Sequence, residues 1–376
     1  MADPNPGEWE IIKDENDIPI DSLVTAIHAN LIPITIDPLV HPEAKVLYWH
    51  GRFITIYDDG GKIVSCLYNP VTKEIIQYTV PTWPDIEEPF DPSKIFCSGH
   101  IQLLNGKLLT AGGERNIPPV ASRGLKYSFI FDSSVLYETN PDPRPWRNTK
   151  EVITNFPTMM DRGRWYPQLT KLHNGNIVAM SGYKYSEQQI ELRPELFDAS
   201  TETWILYDQD ADLAVPLYNA AYLIPFGDWK GEIFYDLVSF GPVLPGWIRA
   251  HRFNPDVNAP EWNQVGLEQS MRFKGNSVML PFSVLDSKIR IVNLGGADEQ
   301  LSDTSQIIEI GVNISSYWIT LPDLNFPRHD APNALLLADG TAMVIGGGHP
   351  DETVLTPEYL DYSDPDPNKW AWKTMP

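Results

Sequence analysis

Short apolar runs alternate with turn signals along the whole chain, and no stretch carries the sustained 3.6-residue period of a helix. One unit recurs: a short strand, a turn of the type LxNG or LADG, a second apolar strand, then a pair of small residues. The clearest copies are FCSGHIQLLNGKLLTAGG (96–113), RWYPQLTKLHNGNIVAMSG (164–182) and RHDAPNALLLADGTAMVIGGG (328–348). Asn105-Gly106, Asn174-Gly175 and Asp339-Gly340 predict tight hairpin turns, since a two-residue loop needs φ > 0 at its central positions. Two looser copies lie at 217–241 and 273–296, and a sixth, with an insertion at its turn, at 26–49. Six first strands are therefore expected, beginning near His28, Cys97, Tyr166, Tyr218, Lys274 and His329.

The small pairs are Gly112-Gly113, Ser181-Gly182, Phe240-Gly241, Gly295-Gly296 and Gly346-Gly347, and each is followed by a tryptophan. Trp146, Trp204, Trp262, Trp318 and Trp370 recur at intervals of 58, 58, 56 and 52 residues. A period of this length built from short strands predicts an all-β propeller, one four-stranded blade per repeat, with the tryptophan on the outer strand. The expected blades span 24–83, 95–150, 162–208, 216–265, 271–320 and 326–374 of one domain, 1–376. The segment GEWEII (7–12) reads as an extra outer strand that could close a ring. The count is six blades, or seven if blade-forming sequence is missing.

Composition narrows the function classes. The formal charge is −22, from 28 Lys and Arg against 50 Asp and Glu, and such a field repels phosphate backbones. Nucleic acid is excluded as an expected partner. No run approaches the length of a membrane span, and MADPNPGEWE has neither the basic nor the apolar region of a signal peptide. As written the sequence points to the cytoplasm, or to secretion if Met1 is not the natural start. Asn313-Ile314-Ser315 is a lone glycosylation sequon, and the two cysteines, Cys66 and Cys97, are too few for a disulfide framework. Walker-type loops, nucleophile elbows, HExxH and CxxC pairs are absent from the sequence.

Phe96-Cys97-Ser98-Gly99 and Arg164-Trp165-Tyr166-Pro167 each lie at the same distance before their turn glycine, which makes Cys97 and Tyr166 blade-equivalent neighbours. Together with the repeat from about Trp9 to Pro376, these motifs resemble the Kelch-type propeller of the galactose oxidase and glyoxal oxidase family of copper radical enzymes. The resemblance implies a thioether between Cys97 and Tyr166, with Tyr166 binding copper and carrying the radical. The family's remaining ligands, a Tyr-His pair in a following blade and a histidine on a further domain, have no match here. The segment that precedes the Tyr-His blade in the family resembles 356–376, where this sequence stops, and reading RHDAPN (328–333) as that blade puts Asp330 and Ala331 at the ligand positions. The family's stacking tryptophan also has no match, the local segment being Gly182-Tyr183-Lys184-Tyr185.

The candidate catalytic residues are Cys97, Tyr166, Tyr218 and His28. Arg164, His100, Lys274, Asn276, Asn333 and His329 precede or open first strands and are candidates for holding substrate at the channel mouth. Structural anchoring between blades is the alternative for the arginines, and packing the alternative for Tyr218. The expected function is a galactose oxidase-like enzyme acting on a small organic molecule. With copper ligands lacking, its chemistry is expected to be non-redox: isomerisation, elimination or cyclisation. Two alternatives stand beside it. One is a copper radical oxidase of primary alcohols or aldehydes completed by missing sequence or a partner chain. The other is a propeller that binds and does not catalyse.

Overall fold

A computed structural model describes Lys13 and residues 26–34, 43–50, 64–81, 95–117, 120–137, 144–184, 189–215, 217, 219–224, 236–244, 247–253, 263–267, 274–282, 288–296, 303–311, 316–349 and 352–375. Some strand residues, His28, 236–244 and 247–253 among them, are described by backbone alone. The fold is all-β, as the repeat predicts: among the described residues there are six four-stranded antiparallel sheets, two two-stranded ones and only three short 3-10 turns. The expected closing strand 7–12, the sequon, Tyr218 and Trp262 lie outside the described residues.

The chain divides into two compact units, Glu10–Leu206 and one containing Tyr207–Pro376. The first holds three sheets. The first comprises Ala26–Ile34, Glu43–His50, Val64–Tyr68 and Ile75–Thr79. In the second, Gly99–Gln102, Leu108–Ala111, Ser128–Phe131 and Trp146–Asn148 pair in that order, with a small hairpin, Glu114–Ile117 and Val120–Gly124, between the second and third strands. The third is Gln168–Lys171, Ile177–Met180, Glu195–Asp198 and Thr203–Leu206. The other unit holds the fourth sheet (Ala220–Ile224, Asp236–Leu244, Trp247–Phe253, Asn263–Leu267), the fifth (Asn276–Met279, Lys288–Leu294, Ser305–Gly311, Ser316–Leu321) and the sixth (Asn333–Leu336, Ala342–Ile345, Glu358–Asp361, Ala371–Thr374).

The middle strands Leu108–Ala111, Ser128–Phe131 and Ile177–Met180 are buried at every position, on both faces, so they read as near-continuous apolar runs instead of alternating ones. Leu108, Phe129, Phe131 and Trp146 of the second sheet pack on Trp49 and Leu67 of the first. From the opposite face, Leu109, Ala111 and Ile130 pack on Leu169, Ile177, Ala179 and Phe197 of the third. The fifth and sixth sheets meet the same way, Val292, Leu294 and Ile307 against Val344, Leu360 and Trp372.

Three details correct or sharpen the sequence reading. The hairpin turns use positive φ at the glycine alone, Gly106 (φ 80), Gly175 (φ 88) and Gly340 (φ 89). Gly106 N donates to Leu103 O, so Leu104-Asn105 form an ordinary turn and the glycine a bulge after it. The asparagine works through its side chain instead: Asn105 Oδ1 accepts from Lys107 N, and Asn174 and Asp339 do the same. Second, the repeat tryptophan of the last sheet is Trp372, not Trp370. Trp146, Trp204 and Trp372 each donate Nε1–H to a serine on the third strand of the preceding sheet: Ser65 at 2.8 Å, Ser128 at 3.0 Å and Ser305 at 3.0 Å. Trp370 caps a 3-10 turn and donates to Asp364 O. Third, the glycine pair makes room for the next blade's entry segment. Gly113 N donates to Arg164 O, and a Cβ on Gly112 would stand 2.4 Å from that oxygen. Gly295-Gly296 receives Arg328 O in the same manner.

Candidate functional site

Among the described residues, the entry segments of four blades end in a residue with left-handed backbone just before the first strand. Cys97 (φ 56), Tyr166 (φ 62), Lys274 (φ 58) and Ala331 (φ 48) occupy this place in the second, third, fifth and sixth sheets. Non-glycine residues there carry some strain. Because four blades share the feature, it belongs to the architecture and not to one site. Its consequence is local: the amide of one such residue reaches the carbonyl of the one before it. Tyr166 N donates to Cys97 O at 2.9 Å, and Ala331 N to Lys274 O at 3.0 Å. The phenol-bearing and thiol-bearing residues of the first unit thus stand side by side, Cys97 only 3% exposed and Tyr166 half-buried.

Arg164 fixes the segment that carries Tyr166. Its side chain is wholly buried and pairs with an equally buried Glu195 at 2.9 Å. It also donates to Ser181 O and Arg193 O, while Glu195 accepts from the amides of Asp161 and Arg162. The sixth sheet repeats the arrangement with Arg328, Glu358, Gly346 O, Thr356 O and the amide of Asn325. These contacts give Arg164 the anchoring role, and a guanidinium with no exposed surface does not meet a substrate.

Two aromatic residues not among the sequence candidates extend from Tyr166. The Trp165 ring lies 4.8 Å from that of Tyr166 and 5.6 Å from that of Tyr183, centroid to centroid. Trp165 and Tyr183 exchange backbone hydrogen bonds in both directions, at 3.0 and 2.8 Å, which sets their rings together. The aromatic pair in RWYP and the tyrosine directly after Ser181-Gly182 were the available signals.

The other candidates fall elsewhere. His100 Nδ1 is 3.0 Å from Asn30 Oδ1, and its ring meets Trp49 edge-on, which puts it between the first and second sheets. Burial there pulls its pKa down to about 4, so it is neutral near pH 7. His28 lies in the first strand, described by backbone alone. In the second unit, Lys274 pairs with Asp330 at 3.0 Å and Asn276 donates to Pro332 O at 2.8 Å, which ties the fifth sheet to the sixth. His329 is half-buried beside Arg328, and Asn333 opens the sixth sheet, exposed. Cys97, Tyr166 and Arg164 therefore gather in one unit, and Lys274, Asn276, His329 and Asn333 in the other.

Among the described residues no group of three or more His, Cys, Asp or Glu side chains is placed to hold a metal ion. Among the described residues the donors around Tyr166 are a phenol and a thiol without an imidazole, whereas Cu(II) prefers a tetragonal set of nitrogen and oxygen ligands. The described residues do not fit the metal.

The fold, as distinct from the site, has solved counterparts. The chain is similar to the solved structure of a fungal alcohol oxidase with catalytic diversity among the AA5 family, in complex with copper, at 18% identity and a TM-score of 0.58; the match covers 94% of this chain and 68% of that one. It also matches the structure of YjhT at 13% identity and a TM-score of 0.47, over 88% of this chain and 94% of that one. No family model and no curated protein matches the sequence. At such identity the likeness establishes the fold: a galactose oxidase-like β-propeller.

Proposed function

We propose that this protein is an oxidoreductase of galactose oxidase-like fold, in which Tyr166, with Cys97 beside it, is the redox-active group. Its substrate is a small neutral alcohol or aldehyde held near the aromatic rings of Trp165 and Tyr166. The adjacency of Cys97 and Tyr166, joined through backbone at 2.9 Å, is the observation that carries the reading. A core tyrosine alone would not explain a buried thiol at the equivalent place in the neighbouring blade. The substrate is taken as neutral because the nearest buried cation, Arg164, is already matched by Glu195, and because a chain of net charge −22 repels anions. Joining Cys97 Sγ to the Tyr166 ring would remove one hydrogen from each and pass two electrons to an oxidant such as dioxygen. The intact mass should then fall about 2 Da short of the sequence mass, and Tyr166→Phe should restore it. Two unmodified side chains in protein purified aerobically would sink this reading.

A second reading follows from the donor set. A phenol without a metal can still act as a general acid or base, so isomerisation, elimination or cyclisation of the same class of molecule is the alternative. It predicts turnover that survives a chelator and disappears in Tyr166→Phe with Cys97→Ser unaffected.

A further inference from the structure

Tyr166, Trp165 and Tyr183 form an unbroken run of aromatic rings within one unit, with centroid spacings of 4.8 and 5.6 Å. The blade does not require them. The sixth sheet builds the same buried arginine–glutamate lock with His329 and Asp330 following Arg328, Ala331 at the left-handed position that Tyr166 holds in the third, and Gly348 where the third has Tyr183. The run is also held rigidly, since Trp165 and Tyr183 are paired through both backbone amides and Tyr166 is tied to Cys97 O. The indole Nε1 of Trp165 is buried with no hydrogen-bond partner among the described residues. An indole that loses an electron there has no acceptor for its proton among the described residues. It stays a strongly oxidising cation and takes an electron from the next ring instead of holding the charge. Tyr183 is half-buried, so its phenol can release a proton to solvent.

We propose that these three residues are a one-electron relay that carries an oxidising equivalent from Tyr166 through Trp165 to Tyr183. A one-electron oxidant takes an electron from Tyr166, whose phenol proton leaves to solvent. The resulting tyrosyl takes an electron from Trp165 and regains a proton, and the Trp165 cation takes an electron from Tyr183, whose phenol proton goes to water. The net change is one electron and one proton lost from Tyr183, one electron gained by the oxidant, and Tyr166 restored. Such a relay would clear charge from the reactive phenol when no substrate is bound. The proposal rests on the reading of Tyr166 as the oxidisable group only for where the charge first appears.

The test uses the full chain, oxidised by photogenerated tris(bipyridine)ruthenium(III) in the presence of a spin trap, with adducts mapped by peptide mass spectrometry. The wild type should carry more adduct on Tyr183 than on Tyr166. Trp165→Phe should reverse the order, raising the Tyr166 adduct several-fold and lowering that of Tyr183. A Tyr183 yield that Trp165→Phe does not change overturns the relay, because it means direct oxidation at the surface. Should Trp165→Phe fail to fold, Tyr183→Phe takes its place, and adducts on Tyr166 and Trp165 must then rise several-fold; unchanged yields again overturn the proposal. Intact mass and turnover read the functional assignment separately, so an adduct shift in a protein that oxidises no alcohol would keep the relay and remove the function.

Discussion

His100 shows how a residue's surroundings, more than its type, decide what it does. A histidine two residues before the end of a first strand could face a channel or a neighbouring blade. The cross-strand pairing with Thr110 turns it toward the first sheet, against Asn30 and Trp49. Its pKa falls from 6.5 to about 4 by desolvation. Because the folded value is depressed, the unfolded chain binds the proton more readily between those limits. The stability that the neutral ring supports is complete above pH 6.5, erodes as pH drops toward 4, and is lost no further below that. At about 1.4 kcal/mol per unit the total is on the order of 3 kcal/mol. Urea unfolding of wild type and His100→Gln across this range should show a shallower pH slope in the variant. Parallel slopes would mean that the ring is solvated in the folded protein.

At the scale of the blade, the tryptophan–serine links and the arginine–glutamate locks bear different loads. Trp372→Phe removes one neutral hydrogen bond to Ser305 and keeps most of the packing, a loss of about 1 kcal/mol. A double-mutant cycle with Ser305→Ala should return a coupling energy of that size, and a cycle that closes to zero would reduce the link to packing alone. Glu195→Ala is a heavier change, because it leaves the Arg164 guanidinium buried and unmatched and the amides of Asp161 and Arg162 without their acceptor. Its cost should be about 3–5 kcal/mol by chemical denaturation, and a cost below about 1 kcal/mol would show that water reaches the site. The sequence carries one kind of device openly and hides the other. Turn glycines and tryptophans are local, repeated signals, so blades and their phase can be read directly, and the matching distance from Cys97 and Tyr166 to their turn glycines foretells their adjacency. Two tryptophans, Trp370 and Trp372, flank Ala371, and only the partner, Ser305, distinguishes the one that belongs to the repeat. Glu195 and Glu358 lie 31 and 30 residues from their arginines, with no spacing rule to join them. The Trp165–Tyr183 contact likewise arises from backbone pairing across the entry segment, which no periodicity announces.

For the whole molecule the excess of 50 acidic over 28 basic residues sets the balance. Two of the ion pairs, Arg164–Glu195 and Arg328–Glu358, have side chains with no exposed surface, so salt screens them little. Pairs such as Lys107–Asp132 and Lys373–Asp361 are partly exposed and each is worth at most about 1 kcal/mol. The remaining unmatched carboxylates repel one another over distances longer than any single pair, and that repulsion is what added salt removes. Raising sodium chloride from about 10 mM to about 0.5 M shortens the screening length from roughly 30 Å to under 10 Å, which spares the buried locks and quiets the surface. The melting temperature should therefore rise by several degrees, and by a similar amount with potassium chloride, since the effect is ionic strength and not a bound cation. A melting temperature that falls with salt would show that the exposed pairs outweigh the net charge, and the locks would then have to be counted among a larger stabilising network.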